Sequence, residues 1–467
     1  MSTTEAVHNP YLHGPLSLVF LRTAAPIILF MTVSGLFTIV DALFLGRFAG
    51  SKALTAVTLM FPVMMLMVAL QSMVSAGMAS IVARKIGAGD MAGAEGAVHA
   101  AHLLALVVSA GLMLAFFLLG APLTRALAAG DAEIAEMGLS FTGIMVVFSP
   151  FAFFLNIQGD ALRSEGMVGT MALLAIIATV LNMAFNYVLI GVFQFGPAGS
   201  AAGSVIAQVL SVAAVVVLRL SGRTRLPLIA RGTGSVLGNW RSILVLGAPP
   251  SLSFLGISLA SGLIIADIQI WSTANMSDTV AAYGVISRIL TFAYLPLMGA
   301  SMACQSIAGN NFGAGLHARV RASLKIGFVF ALIYSALFEI AFVALPQPIG
   351  ELFVDDPAVV AEVVRIMPVM CGAYVLSAPL LIIAGYYQAL GMAGSAAVLS
   401  LARTYLIGLP LLALVPFALG EPGIWIASPA GDVLMLLAAG GLLAWNVRRR
   451  RMDWGLFHRE APATAVA

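Results

Sequence analysis

Charged side chains are scarce in this chain of 467 residues. Asp, Glu, Lys and Arg together make up 9% of it, whereas roughly a quarter of a soluble domain is charged. No polar stretch is long enough to build a soluble domain, and the net charge of +3 does not indicate nucleic-acid binding. What the chain has instead is 61% hydrophobic residues and a mean hydropathy of +1.03. This composition predicts an all-α protein that crosses a membrane many times.

Cysteine and histidine are also rare, which limits the chemistry open to the chain. Cys304 and Cys371 both fall in apolar stretches, so we expect neither a disulfide framework nor a metal site. Among the histidines, His99 and His102 form the one close pair, and no third ligand is evident beside them. An enzyme embedded in the membrane would need such ligands or a nucleophile–base pair, so we expect no enzymatic activity and no cofactor. A Walker motif is absent as well, which argues against transport driven by ATP on this chain.

Apolar stretches long enough to cross a bilayer, about 20 residues each, follow one another along the chain. The first lacks the basic segment and cleavage site of a signal peptide, so we expect a retained helix. Prolines within the stretches predict bends. Hydropathy predicts twelve spans, near residues 15–45, 53–82, 98–120, 134–160, 167–193, 197–219, 243–271, 280–308, 322–346, 358–388, 394–419 and 424–447.

Basic residues alternate between loops, and this alternation predicts the orientation. Arg84 and Lys85 follow span 2, and “RRRR” at 448–451 follows span 12, whereas the loop at 351–362 is acidic. By the positive-inside rule both termini are cytoplasmic, in a bacterial inner membrane. We expect an N-terminal lobe over 1–222, a cytoplasmic connecting loop over 223–242, a C-terminal lobe over 243–447 and a basic cytoplasmic tail over 448–467.

The two halves are related by an internal repeat. With a shift of 226 residues, Asp41 falls on Asp267, and “RKIGAG” at 84–89 falls on “NNFGAG” at 310–315. One such match would be at chance level, but both at a single offset are not. Six spans per half is an even number, so the two repeats share one orientation in the membrane. Secondary transporters are commonly built from repeats of this kind.

Six short motifs resemble those of the multidrug and toxic compound extrusion (MATE) family, over nearly the whole chain. They are “VDALFLGRFAG”, “ARKIGAGD” and “ALRSEG” in the first half, and “AAYGVISRI”, “GNNFGAG” and “YYQALGMAG” in the second. The resemblance implies two pseudo-symmetric six-helix lobes in a V shape. It also implies an antiporter that exports bulky, often cationic, amphipathic compounds in exchange for inward H⁺ or Na⁺.

Asp41 is the carboxylate that the sequence singles out, because an acid within a membrane helix is rare and costly. Asn182 and Asn186 are four residues apart and share one face of span 5, as Ser204 and Gln208 do in span 6. In the DinF-like branch of the family, a pocket combines an Asp of span 1 with Asn and Asp of span 5 and a Thr of span 6. The resemblance therefore implies a cation- or proton-coupling site at Asp41, Asn182, Asn186 and Ser204.

The chain departs from that branch at Asn186 and Ser204. An amide in place of the second carboxylate weakens a Na⁺ site, because a hard cation prefers anionic together with neutral oxygens. It also leaves Asp41 as the sole titratable group of the cluster, and a buried carboxylate can bind and release a proton near neutral pH. We therefore expect H⁺ to be favoured over Na⁺. Spans 7 and 10 lack the mid-span acids of the NorM-like branch, which favours the DinF-like branch.

Three further acids within the spans are weighed as candidates for the coupling site. Asp267, near the external end of span 7, is a second candidate coupling residue, in the second lobe. Glu339 and Asp432 lie nearer to helix ends, where we expect structural roles.

Asn156, Gln158 and Gln208 are candidates for lining the substrate cavity. The expected partners are small-molecule drugs or toxic metabolites and the lipid bilayer, with no nucleic acid, and the protein is expected to be a monomer. One alternative is a flippase for a lipid-linked precursor. Its cavity should be strongly cationic, yet the arginines lie mostly in cytoplasmic loops, with Arg288 and Arg403 as exceptions. A membrane-embedded enzyme is the less favoured alternative.

Overall fold

The structure is a computed structural model that describes residues 9–128, 131–228, 236–271 and 276–457. Three π-helical segments occur in these ranges, at Leu45–Ala49, Tyr187–Val192 and Ala402–Gly408. The α-helices are α1 Leu16–Phe44, α2 Ser51–Leu59, α3 Phe61–Gly87, α4 Met91–Leu127, α5 Ala132–Val147, α6 Ser149–Ser164, α7 Val168–Asn186, α8 Gly196–Leu220, α9 Val236–Trp271, α10 Met276–Gly313, α11 His317–Ala344, α12 Pro346–Phe353, α13 Pro357–Met370, α14 Tyr374–Ala389, α15 Ala393–Leu401, α16 Leu409–Leu419 and α17 Glu421–Arg450.

Ten helical runs in the described ranges are long and apolar enough to cross a membrane. Two more spans are bent pairs, α5 with α6 at 50° and α13 with α14 at 56°. Counting each bent pair as one span gives up to twelve, so the predicted all-α fold with twelve spans is confirmed. Proline marks both bends, since Pro150 lies in the first turn of α6 and Pro368 near the end of α13. Proline lacks the N–H that would continue the helical hydrogen bonding.

The described chain divides into two compact units. Of the described residues, the first unit comprises those within 9–13 and 25–255, and the second comprises those within 14–24 and 256–457. Helices α1 and α9 each contribute residues to both units. The predicted connecting loop over 223–242 includes residues 229–235, which lie outside the described part, and the predicted lobe boundaries stay predictions.

In the first unit, the N-terminal half of α9 crosses α3 with their backbones in contact. A Cβ added at Gly77 would lie 2.0 Å from the carbonyl oxygen of Ile243, and one at Gly247 would lie 1.7 Å from that of Met73. Glycine at both positions permits this approach, as small residues do wherever membrane helices pack closely. Elsewhere in the unit α3 packs on α4 and α6, and α7 packs on α8. The α7–α8 contact brings together the two helices that carry the predicted polar residues.

In the second unit, α14 packs against α10, α11 and α15, and α17 packs against α13 and α16. An apolar core between these helices includes Ile286, Met367 and Trp425, all buried. The segment after α17 folds back on α14, where the Tyr387 hydroxyl donates a hydrogen bond of 2.7 Å to the carbonyl oxygen of Gly455.

Candidate functional site

Two helices of the first unit change their hydrogen-bonding pattern directly after a polar residue of the predicted site. Asp41 lies in the last turn of α1, and the π-helical segment Leu45–Ala49 follows that helix. Asn186 is the last residue of α7, and the π-helical segment Tyr187–Val192 follows it. A π-helical turn holds an extra residue, and such turns occur frequently at functional sites. Both π segments contact each other within the unit.

Asp41 and Asn186 are joined directly. The Asn186 side-chain amide donates a hydrogen bond of 2.6 Å from Nδ2 to Oδ1 of Asp41. The same Nδ2 also donates to Oδ1 of Asn182 at 3.2 Å, one helical turn earlier on α7. Asn182 in turn donates from Nδ2 to the Ser204 hydroxyl oxygen at 2.8 Å. The structure therefore brings all four predicted residues into one hydrogen-bonded chain that begins at the carboxylate.

Helix α8 contributes a fifth polar residue, which the sequence analysis did not identify. The Ser200 hydroxyl donates to Oδ1 of Asp41 at 3.3 Å, whereas Ser204 is connected to the carboxylate only through Asn182 and Asn186. Ser200 lies one helical turn before Ser204, so the four-residue spacing that pairs residues on one helix face was the available signal.

Gly203 makes the space that Asn186 occupies. A Cβ added at Gly203 would lie 2.2 Å from Oδ1 of Asn186 and 3.1 Å from its backbone nitrogen. The Asn186 side chain is fully buried, at 0% exposure, so a Cβ at Gly203 would press on a side chain that protein surrounds on all sides. Glycine at this position is thus a requirement of the cluster's geometry.

The cluster, defined as Asp41, Asn182, Asn186, Ser200 and Ser204, carries one ionisable group. Asp41 is half-buried, while the remaining side chains offer neutral amide and hydroxyl groups. The Oδ1 atom of Asn186 is buried and accepts no hydrogen bond from the described residues. No group of three or more His, Cys, Asp or Glu side chains in the described ranges is placed to hold a metal ion.

The residues predicted to line a substrate cavity are separated in the structure. Asn156 is exposed and donates from Nδ2 to Oε1 of Gln71 at 3.1 Å. Gln158 is buried, where it accepts a hydrogen bond of 2.8 Å from Nε of Arg219 and lies 3.3 Å from Nε2 of His102. Gln208 is half-buried on α8. Their roles in substrate binding stay predictions.

Arg219 is buried in the first unit, where it forms an ion pair with the carboxylate of Glu165. It donates to Oε1 of Glu165 at 2.5 Å, and both side chains are almost completely buried, at 1% and 0% exposure. The other oxygen of Glu165 accepts from the backbone N–H groups of Arg225 at 2.8 Å and Leu226 at 3.1 Å. This network fastens the segment after α8 to the end of α6. The sequence analysis did not identify it, because its members are far apart in the chain.

The acids of the second unit have three different environments. Asp267, on α9, is buried at 7% exposure, and its Oδ2 has no hydrogen-bond partner among the described residues. Glu339 accepts a hydrogen bond of 2.6 Å from the backbone N–H of Val375, in the first turn of α14, and so stabilises the start of that helix. Asp432 pairs with Arg403 at 2.8 Å.

Comparison with solved structures identifies the class of fold. The chain matches an outward-facing multidrug resistance transporter of the MOP superfamily with a TM-score of 0.84, over 94% of this chain and 97% of that one, at 22% identity. Such a likeness at low identity shows the fold of a polytopic membrane transporter. A family model described as MatE matches residues 26–188 and 254–414, which begin 228 residues apart and agree with the internal repeat. The chain belongs to this family, and it is therefore a multi-pass membrane transporter.

Two curated relatives have nearly the length of this chain. An FAD transporter of Shewanella oneidensis is 28% identical over 91% of this chain and 94% of its own. The probable multidrug resistance protein YoeA of Bacillus subtilis is 22% identical over 91% of this chain and 93% of its own. The predicted assignment to the MATE family is confirmed, while the assignment to its DinF-like branch stays a prediction.

Proposed function

We propose that this chain is a cation-coupled antiporter that exports amphipathic small molecules, with H⁺ favoured over Na⁺ as the coupling ion. The observation that carries the proposal is the environment of Asp41, a carboxylate bonded only to neutral donors. An acid in a membrane helix is costly when it is charged. Binding a proton removes that cost, so Asp41 is suited to alternate between two charge states during a transport cycle.

The bonding within the cluster favours a proton over a sodium ion. A hard cation is bound by several oxygens that are free to face it. Here Oδ1 of Asn182 and the hydroxyl oxygen of Ser204 already accept hydrogen bonds from neighbouring amides. Asn186 can serve either state of Asp41, since its Nδ2 donates to the ionised carboxylate and its unused Oδ1 would accept from the protonated one after the amide turns.

Proton binding would drive transport by weakening the contacts that Asp41 makes between α1 and helices α7 and α8. Ionised Asp41 holds α1 to α7 and α8 through Asn186 and Ser200. Protonated Asp41 would be nearly apolar, which allows α1 to bend at Pro26 and shrink the cavity, so that substrate leaves outward. A ligand shifts such an equilibrium only through its different affinity for the two states, and the proton supplies that difference.

Two classes of exported compound are proposed. Multidrug export is supported by family membership and by the similarity to YoeA. A second candidate is export of an acid-bearing dinucleotide such as FAD, supported by the similarity to the Shewanella FAD transporter and by an arginine within a predicted span, Arg403. We further propose a bacterial inner membrane location, a monomeric state and cytoplasmic termini.

Everted membrane vesicles test the coupling ion. Dye transport should be driven by a pH gradient and not by a Na⁺ gradient, and Asp41→Asn should insert normally but lose transport driven by the pH gradient. Asn186→Asp should keep transport and add sensitivity to Na⁺, because it restores a second carboxylate. The matched control is Asp90→Asn, which removes an exposed carboxylate of the same unit and should transport normally. Transport by Asp41→Asn at the wild-type rate would refute the proposal.

A further inference from the structure

An ion pair lies deep within two helical runs of the second unit. Arg403 is the second residue of the π-helical segment Ala402–Gly408 and lies about 15 Å along its run from Ala393 at the usual helical rise. Asp432 lies about 16 Å from the start of α17 by the same measure. Both positions are therefore well inside their helical runs, and the expectation that Asp432 lies near a helix end is wrong. A charged residue at such depth faces the interior of the bundle or water, and it is a functional hypothesis by default.

The bonding leaves one edge of the guanidinium unused. Both Nε and Nη2 of Arg403 donate to the same atom, Oδ1 of Asp432, at 2.8 Å. Nη1 makes no hydrogen bond within the described ranges, and an arginine presents five donors in a fixed fork. The Arg403 side chain is 44% exposed, whereas that of Asp432 is 6% exposed. The carboxylate thus anchors one edge, and the edge formed by Nη1 and Nη2 stays open to a ligand.

Two tyrosines near Arg403 carry hydroxyl groups that can donate hydrogen bonds. Tyr294 and Tyr374 both interact electrostatically with Arg403. The buried hydroxyl of Tyr374 has no hydrogen-bond partner among the described residues, so its hydrogen is available to an acceptor. The other carboxylate of this region, Glu339, is already engaged by the backbone N–H of Val375. Hydrogen-bond donors therefore predominate among the described groups near Arg403, apart from Asp432 itself.

We propose that the open edge of Arg403 binds the carboxylate or phosphate group of an exported amphipathic compound, with Asp432 as a positioning residue. Planar acid groups of this kind accept two parallel hydrogen bonds from a guanidinium fork. Asp432 fixes the fork's orientation before the ligand arrives, which lowers the entropy cost of binding. The inference rests on the proposed export function and adds the chemical class of substrate that the second unit selects.

Direct binding to the purified full-length protein tests this site. The probes are a rhodamine dye with a free carboxylate and its methyl ester, which differ in that one acid group. Fluorescence anisotropy should show tighter binding of the acid dye to the wild type. A double variant, Arg403→Gln with Asp432→Asn, removes both charges without leaving one of them buried and unpaired. It should weaken binding of the acid dye at least about tenfold and leave the ester within about twofold.

Two controls separate this result from a general loss of structure. Arg288→Gln removes another arginine of the predicted spans and should leave both dyes unaffected. Arg403→Lys keeps the charge but not the fork, so its affinity for the acid dye should fall between those of the wild type and the double variant. Inorganic phosphate should displace the acid dye, but not the ester, from the wild type, and this measurement needs no variant.

Equal binding of both dyes to the wild type, equal losses in the double variant, or no competition by phosphate would each overturn the assignment of Arg403. Vesicle transport of the ester dye decides the proposed export function separately. If the ester is not moved by either ion gradient, export of such amphipaths fails, while the binding results still decide whether Arg403 recognises an acid group.

Discussion

Replacing Gly203 with alanine would test whether the polar cluster of the first unit depends on close helix packing. The new Cβ would lie 2.2 Å from Oδ1 of Asn186, more than 1 Å short of ordinary contact. A helix movement of a few tenths of an ångström would relieve the 3.1 Å contact with the Asn186 backbone nitrogen, but it would not relieve the 2.2 Å contact with Oδ1. The side chain must therefore turn away, and its 2.6 Å hydrogen bond to Asp41 is the contact it would lose.

The cost of Gly203→Ala has two parts. Overfilling a packed site typically costs about 1–3 kcal/mol. Losing a hydrogen bond to a charged group costs about 1.5–3 kcal/mol, although relaxation makes the two less than additive. A net loss of roughly 2–4 kcal/mol in the free energy of unfolding follows. Transport driven by the pH gradient should fall as well, because the carboxylate loses its shortest hydrogen bond.

Gly111→Ala is the matched control, since a Cβ at Gly111 meets no atom within 4 Å. Alanine in a helix is intrinsically more favourable than glycine, by up to about 1 kcal/mol, so this control should unfold at or above the wild-type temperature. Unfolding in detergent would be followed by tryptophan fluorescence, and transport would be measured in everted vesicles. If Gly203→Ala matched the wild type in both assays, the packing argument would be refuted.

Three further perturbations follow from the contacts of the first unit. Glu165→Gln leaves Arg219 buried without its charge partner, so we expect a loss of about 3–5 kcal/mol in detergent unfolding, and an unchanged midpoint would contradict this. The hydrogen bond from Lys85 holds the pKa of Asp90 below its usual value of 3.8. The ionised Asp90 side chain therefore contributes to the free energy of unfolding above about pH 4, and this contribution disappears as the pH falls through the folded-state pKa. Because Asp90 is exposed, Asp90→Asn should cost less than about 1 kcal/mol at neutral pH and nothing in acid, as acid titration of both proteins would show. Ser200→Ala removes the weaker of the two donors to Asp41, so transport should fall less than in Gly203→Ala, and an equal or larger loss would assign the main role to the hydroxyl.

The number and extent of the spans could be predicted from hydropathy, because a lipid-facing helix must be apolar along its length. The bends could be predicted only in part. The predicted span at 134–160 contains Pro150, which indicates a break, but nothing local specifies that α5 and α6 meet at 50°. The π-helical segments were not predicted either, because their register depends on how α1, α7 and α8 pack.

The polar cluster could likewise be predicted only where its contacts depend on nearby residues in the chain, and not where they depend on how the helices pack. Asn182 and Asn186 could be paired from their four-residue spacing alone, and the family motif added Asp41. Ser200 has the same spacing from Ser204, but its contact with the carboxylate depends on how α8 packs against α1. Arg403 and Asp432 are 29 residues apart and lie on separate helices, so no short sequence pattern could predict their ion pair.

The charges of the two units indicate how coupling and substrate recognition could be divided between them. The negative charge of Asp432 is balanced by Arg403, and Glu339 is engaged by the first turn of α14. Separating a fixed partner from a buried charge is expensive, so neither group is well suited to exchange a proton on every cycle. Asp41 is bonded only to neutral donors, and Oδ2 of Asp267 makes no hydrogen bond in the described ranges. We therefore expect proton exchange at one of these two carboxylates. Asp41 is favoured, because its neighbours can stabilise either of its charge states. In the proposed division, Arg403 keeps a fixed positive charge that can bind an acid group of the substrate.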